Sequence, residues 1–161
     1  MKKLKIYLDT SVISYLFADD TPEKKSHTLT LWNDIIDDKY DIFISTTTVS
    51  EIEACKEPKR EMMLEKIRMI KFNILSETKE VTELANEYIK NNVLSSSNFD
   101  DCLHISFAVI NECDLIISWN FKHLVNYKTI KNVKIVNSIN NYKEIGIISP
   151  TMIIEEGDIS E

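Results

Sequence analysis

The chain has 161 residues, 43% of them hydrophobic and 28% charged, which excludes a disordered chain and fits one domain with a real core. Its 19 basic and 26 acidic side chains leave a net charge of −7, so any nucleic-acid partner must meet a local basic patch. Three cysteines (Cys55, Cys102, Cys113) without a C-x-x-C spacing fit reduced thiols in a cytosolic protein. No apolar run nears the ~20 residues of a membrane span. The opening MKKLKIYLDT, interrupted by Asp9, does not fit a secretion signal.

Residues 4–8 (LKIYL) read as a strand, after which Asp9-Thr10-Ser11 turns the chain into a short helix reaching Phe17. Pro22 opens a longer helix with Leu29, Trp32, Ile35 and Ile36 at helical spacing. A second apolar run at 42–44 leads through Thr46-Thr47-Thr48 into a helix containing Glu51. Pro58 starts another, carrying Met62, Met63, Ile67 and Ile70. Residues 72–75 predict a strand, and Val81, Leu84, Ala85, Tyr88 and Ile89 predict a helix. The polar stretch 95–98 precedes a helix over 100–112, whose run CLHISFAVI is apolar almost all round and should lie deep. Further strands are expected at 115–117 and 133–136, and a last short helix at 138–144.

Strands alternating with helices imply βαβ units, a parallel sheet and right-handed crossovers that put helices on both faces. The strand runs are continuously apolar, as two covered faces require. Residues 1–145 are read as one α/β domain. Residues 146–161 are read as an acidic C-terminal tail with Glu155, Glu156, Asp158 and Glu161, either strapped down through Ile147, Ile148, Met152 and Ile153 or frayed.

An open parallel sheet binds ligands at the carboxyl ends of its strands. That edge receives Asp9 after the first strand, Glu51 early in the following helix, Asp101 at the start of the deep helix, and Asn120 after the 115–117 strand. No His or Cys has comparable placement in this reading, so zinc or iron is not expected. Clustered carboxylates repel unless a hard cation neutralises them, and Mg²⁺ or Mn²⁺ takes such oxygens while keeping several waters. Taken singly, each acid also has a structural explanation. Asp9 caps a helix, Thr48 and Glu51 fit a capping box, and Asp100 and Asp101 suit a helix dipole. Joint placement at one edge is what favours the functional reading.

These residues carry a resemblance. Tyr7-Leu8-Asp9-Thr10-Ser11, Val49-Ser50-Glu51-Ile52, Asp101 to Ala108 and Ile116-Ile117-Ser118-Trp119-Asn120 resemble, in order and spacing, the PIN-domain pattern. The resemblance covers most of residues 4–137, and among small members it is to VapC toxins of toxin–antitoxin pairs. It implies a three-layer α/β/α sandwich with a parallel sheet, and a metal-dependent endoribonuclease with Mg²⁺ or Mn²⁺ in an acidic pocket. Matched residue by residue, Asp9, Glu51 and Asp101 are the catalytic and metal-binding acids, with Asn120 at a further metal position and Thr10 and Ser118 as supporting hydroxyls. It further implies an RNA substrate, an antitoxin protein received by the apolar helices at 22–38 and 58–71, and a homodimer. The departure is Asn120, where many members carry an acid: a neutral amide implies weaker metal binding, particularly of a second ion.

Two basic segments relieve the acidic surface. Residues 56–71 hold six basic and three acidic side chains, and 120–134 hold Lys122, Lys128, Lys131 and Lys134 with no acid. Both follow elements that form the edge, so they either guide a phosphate backbone or are ordinary solvated faces. Lys122 and His123 are the candidate substrate contacts; Phe121 and Tyr127 either stack bases or join the core, and His104 reads as a hydrogen-bonded core residue. The alternative function is a catalytically weakened PIN-like nucleic-acid or protein-binding module. An aspartyl phosphotransferase would need a second Asp two residues after Asp9, where Ser11 stands.

Overall fold

The computed structural model describes residues 2–154. Five strands form one sheet in the order β3-β2-β1-β4-β5, and every neighbouring pair is parallel. The strands are β1 (Lys5–Leu8), β2 (Asp41–Ser45), β3 (Asn73–Leu75), β4 (Leu115–Ile117) and β5 (Gly146–Ile148). The helices are α1 (Thr10–Ser14), α2 (Pro22–Ile36), α3 (Thr46–Glu53), α4 (Lys59–Arg68), α5 (Lys79–Lys90), α6 (Phe99–Ile110), α7 (Tyr127–Ile139) and α8 (Pro150–Ile153). This is the expected three-layer α/β/α sandwich.

Strand alternation divides the core into two layers. Tyr7, Phe43, Ile116 and Ile147 face one side, against Leu84 and Tyr88 of α5, Ile105 and Phe107 of α6 and Val133 of α7. Ile6, Leu8, Ile42, Ile44 and Ile117 face the other, against Leu31 and Trp32 of α2, Ile52 of α3 and Met63 of α4. The inner strands β1, β2 and β4 therefore have to be apolar at consecutive positions. In α6 everything from Cys102 to Val109 is buried, as its composition implied. Among the described residues no helix is long and apolar enough to cross a membrane.

Two expectations at the C-terminal end are corrected. The β-branched run at 133–136 lies within α7, and residues 138–144 finish that helix and turn instead of forming a new one. The Asn126 side chain accepts from the Thr129 N–H at 2.9 Å, which caps α7, and the spacing of Val133, Val136 and Asn137 then buries one helical face. The remaining strand is β5, in the segment expected as a strap. There Gly146 pairs with Leu115, and a Cβ at Gly146 would come within 2.6 Å of Leu115 Cδ2, so the glycine permits the close approach. Ile147 and Ile154 are buried in the two core layers. The acidic positions Glu155, Glu156, Asp158 and Glu161 lie outside the described residues.

Candidate active site

The strand order reverses direction at β1, so the crevice at the carboxyl ends of β1 and β4 is the topological switch point. Asp9 is the first residue after β1 and Ser118 the first after β4. Asp9 Oδ1 accepts from the Ser11 N–H at 3.1 Å and the Ser11 hydroxyl at 2.6 Å; Oδ2 accepts from the Ser118 hydroxyl at 2.6 Å. Ser11 Oγ in turn accepts from the Trp119 N–H at 2.8 Å, and Ser118 Oγ from the Asn120 N–H at 2.9 Å. Asp9 thus caps α1 and also ties the β1 end to the β4 loop. Burial pushes its carboxyl above the usual range, opposed by the positive charge of His104 and by the two hydroxyl bonds.

Glu51 is not a capping residue. The Ser45 side chain caps α3, in a reciprocal box with Thr48, which leaves the Glu51 carboxylate for other partners. Glu51 Oε1 accepts from the Thr10 hydroxyl at 2.7 Å and meets His104 Nε2 at 2.6 Å. His104 is only 2% exposed, and its Nδ1 lies 2.6 Å from the Tyr7 hydroxyl, itself 2.7 Å from Ser45 Oγ. Burial alone would raise Glu51 and lower His104; the Tyr7 oxygen beside the imidazole, then the bond and opposite charges between His104 and Glu51, win, holding Glu51 below and His104 well above their ordinary values. A charged imidazole donates from both nitrogens, to Glu51 and to Tyr7, whose own O–H then serves Ser45.

Asp101 opens α6, one turn before His104. Its Oδ2 lies 2.9 Å from His123 Nδ1, and burial pushes its carboxyl up against the pull of His104 and His123. Both histidines therefore touch site carboxylates, which corrects the expectation that no histidine lay there. The signal for His104 was present: three residues beyond Asp101, it shares a helix face. His123 carried none, because its placement depends on the turn at 120–123. That turn is closed by Asn120 Oδ1, which accepts from the His123 N–H at 2.9 Å. Lys122 is exposed next to it.

Among the described residues no three His, Cys, Asp or Glu side chains are gathered tightly enough to form a metal cage. The donor chemistry still suits a hard divalent cation, which binds through one or two carboxylates and keeps its waters. Asp9 and Asp101 are oxygen donors whose charged forms burial disfavours, and a cation would offset that cost. Glu51 and Asn120 already spend an oxygen on Thr10, His104 and the His123 N–H.

A family model described as PIN domain matches residues 6–122, the stretch that contains nearly every side chain above. The chain belongs to the PIN-domain family. This PIN domain is similar in fold to three solved VapC-containing structures. VapBC2 of Rickettsia felis, bound to a DNA fragment from its promoter, is 15% identical over 91% of this chain and 98% of that one, with a TM-score of 0.53. VapC20 of Mycobacterium tuberculosis, a sarcin–ricin-loop-cleaving toxin, is 16% identical over 73% of this chain and 92% of that one, at 0.56. VapBC-1 of nontypeable Haemophilus influenzae is 14% identical over 92% and 99%, at 0.54. No curated protein matches the sequence.

Proposed function

We propose that this PIN domain is a divalent-metal-dependent endoribonuclease of the VapC toxin kind that hydrolyses RNA phosphodiester bonds. The observation that carries the reading is Asp9: a buried carboxylate at the switch point, both oxygens fixed by serines, its charge penalised by burial. In this reading Asp9 and Asp101 hold Mg²⁺ or Mn²⁺, with Glu51 completing the acidic set and Asn120 at its rim. A cation held there would supply an activated water and offset charge on the phosphodiester. The chain's own residues supply the frame: Ser11 and Ser118 fix Asp9, Thr10 and His104 keep Glu51 ionised, and His123 orients Asp101. Lys122 and His123 contact the RNA backbone.

The partner is an antitoxin protein, as in the VapBC complexes of similar fold. Leu29 and Ile36 on α2 and Met62 on α4 are exposed apolar side chains that suit such a contact. We include a homodimer in the proposal, with Ile135 and Ile139 of α7 as exposed apolar candidates for its interface.

A second reading, a binding module with weakened catalysis, is favoured by the neutral Asn120 and by the prior engagement of Glu51. Mixed RNAs incubated with the purified chain and Mn²⁺, beside Asp9→Asn, separate the two. Cleavage by the wild type alone supports the ribonuclease. RNA binding without cleavage above the Asp9→Asn background supports the module.

A further inference from the structure

Next to Asp101 lies a cavity of about 420 Å³, formed where the segment between α5 and α6 faces the segment between β4 and α7. Lys122, His123 and Lys128 line one side, and Asn92, Ser95 and Asn98 the other. Among the described residues no carboxylate lines it, in a chain with seven more acidic than basic side chains. The two lysines are special in their surroundings. Elsewhere on α7, Lys134 is paired with Glu144 at 3.0 Å and Lys131 lies over the Tyr127 ring. Lys122 and Lys128 have no ion-pair partner among the described residues, and both are exposed. His123 spends Nδ1 on Asp101 and leaves Nε2 available.

The cavity walls are held by bonds that do not use up these donors. The Asn126 amide donates to the Phe121 and Lys122 carbonyls at 3.0 Å, and the Thr129 hydroxyl donates to the His123 carbonyl at 2.7 Å. Across the cavity, Asn98 Nδ2 donates to Ser95 Oγ at 3.0 Å. Two cations, an imidazole and neutral amides around a preformed concavity recognise a phosphate and the sugar beside it. We propose that this cavity is a second phosphate subsite for single-stranded RNA, holding the nucleotide next to the one at Asp9 and Asp101. His123 links the subsite to the acids, so a strand seated here is aligned with them. The proposal rests on the ribonuclease reading for the identity of the strand.

The test uses the full chain without divalent metal, so that cleavage does not intervene. Inorganic phosphate is titrated into ¹⁵N-labelled protein while the amides of residues 92–98 and 122–129 are followed by NMR. A short single-stranded RNA is then bound, by fluorescence anisotropy across a salt series, to the wild type, to Lys122→Met with Lys128→Met, and to Lys131→Met with Lys134→Met. All four lysines are exposed, so neither variant disturbs the core, and far-UV circular dichroism checks that both fold. Phosphate should shift those two segments in the wild type and the α7 control, and leave them unmoved in the cavity variant. RNA affinity should fall roughly tenfold in the cavity variant and much less in the control, with a salt slope shallower by about 0.7 for each phosphate that is no longer neutralised. Equal loss in both variants, or phosphate shifts elsewhere, overturns the subsite while leaving the ribonuclease reading intact. Phosphate in the cavity without any RNA binding overturns the RNA occupant, while the ribonuclease reading stands or falls on the Mn²⁺ cleavage comparison with Asp9→Asn.

Discussion

Tyr7→Phe removes one oxygen from the centre of the molecule. Tyr7 is fully buried in β1, and its hydroxyl joins Ser45 Oγ at 2.7 Å to His104 Nδ1 at 2.6 Å. Without it, a buried imidazole N–H loses its acceptor, which costs about 1–3 kcal/mol, and Ser45 loses a bond worth about 1 kcal/mol. Phenylalanine leaves packing nearly unchanged, so the sum is about 3 kcal/mol. At roughly 2–4 °C per kcal/mol for a domain of this size, Tm should fall by roughly 6–12 °C. The measurement is calorimetric unfolding of the metal-free chain at several pH values. His104 is held well above its ordinary value, so its stabilisation is complete below the unfolded His range and fades as pH rises through the folded value. Glu51 is held below its ordinary value, so its share is present above the unfolded Glu range and fades as pH falls through the folded value. Because Tyr7 serves the charged imidazole, the gap between wild type and variant should narrow as His104 loses its proton. A loss below about 1 kcal/mol, independent of pH, would refute the network.

Three other outcomes are expected. Mg²⁺ or Mn²⁺ at a hundred times its dissociation constant should stabilise the wild type by about 2.7 kcal/mol, and an Asp9→Ala, Asp101→Ala chain should show no such shift in a thermal melt. Burial raises the folded Asp9 pKa, so its charge opposes folding fully above that value and ceases to as pH falls through it. Metal-free Asp9→Asn should therefore melt higher at neutral pH, with the gain vanishing in acid. Asn120→Asp keeps the acceptor for the His123 N–H and adds charge, so calorimetric titration should show tighter Mn²⁺ binding and metal-free melts a loss of about 1 kcal/mol.

Most of the architecture is legible in the sequence because the sheet is covered on both faces, which forces apolar residues into consecutive strand positions such as Ile6, Tyr7 and Leu8. The 133–136 run misleads for a related reason: Val133, Ile135 and Val136 have strand propensity, but the Asn126 cap and helical burial override it. Gly146-Ile147-Ile148 opens with a glycine, which weakens a strand signal, and it becomes one by pairing with β4. Asp9, Glu51 and Asp101 are legible by topology, since loops at one sheet edge share a neighbourhood. What Glu51 does there is not, because that depends on the rotation of α6, which brings His104 to it, and on Ser45 having taken the cap.

The two serines that immobilise Asp9 stand at very different distances along the chain, Ser11 two residues away and Ser118 109. On a ribosome, the first is present almost at once, and the second arrives after α6 has emerged. Until β4 is made, β1 has only β2 beside it, and Asp9 lacks the neighbouring strand end that completes its side of the crevice. On the proposed ribonuclease reading, that order of arrival is a safeguard: a nascent or truncated chain ending before residue 115 carries Asp9, Glu51 and Asp101 but not the Ser118 hydroxyl that fixes Asp9.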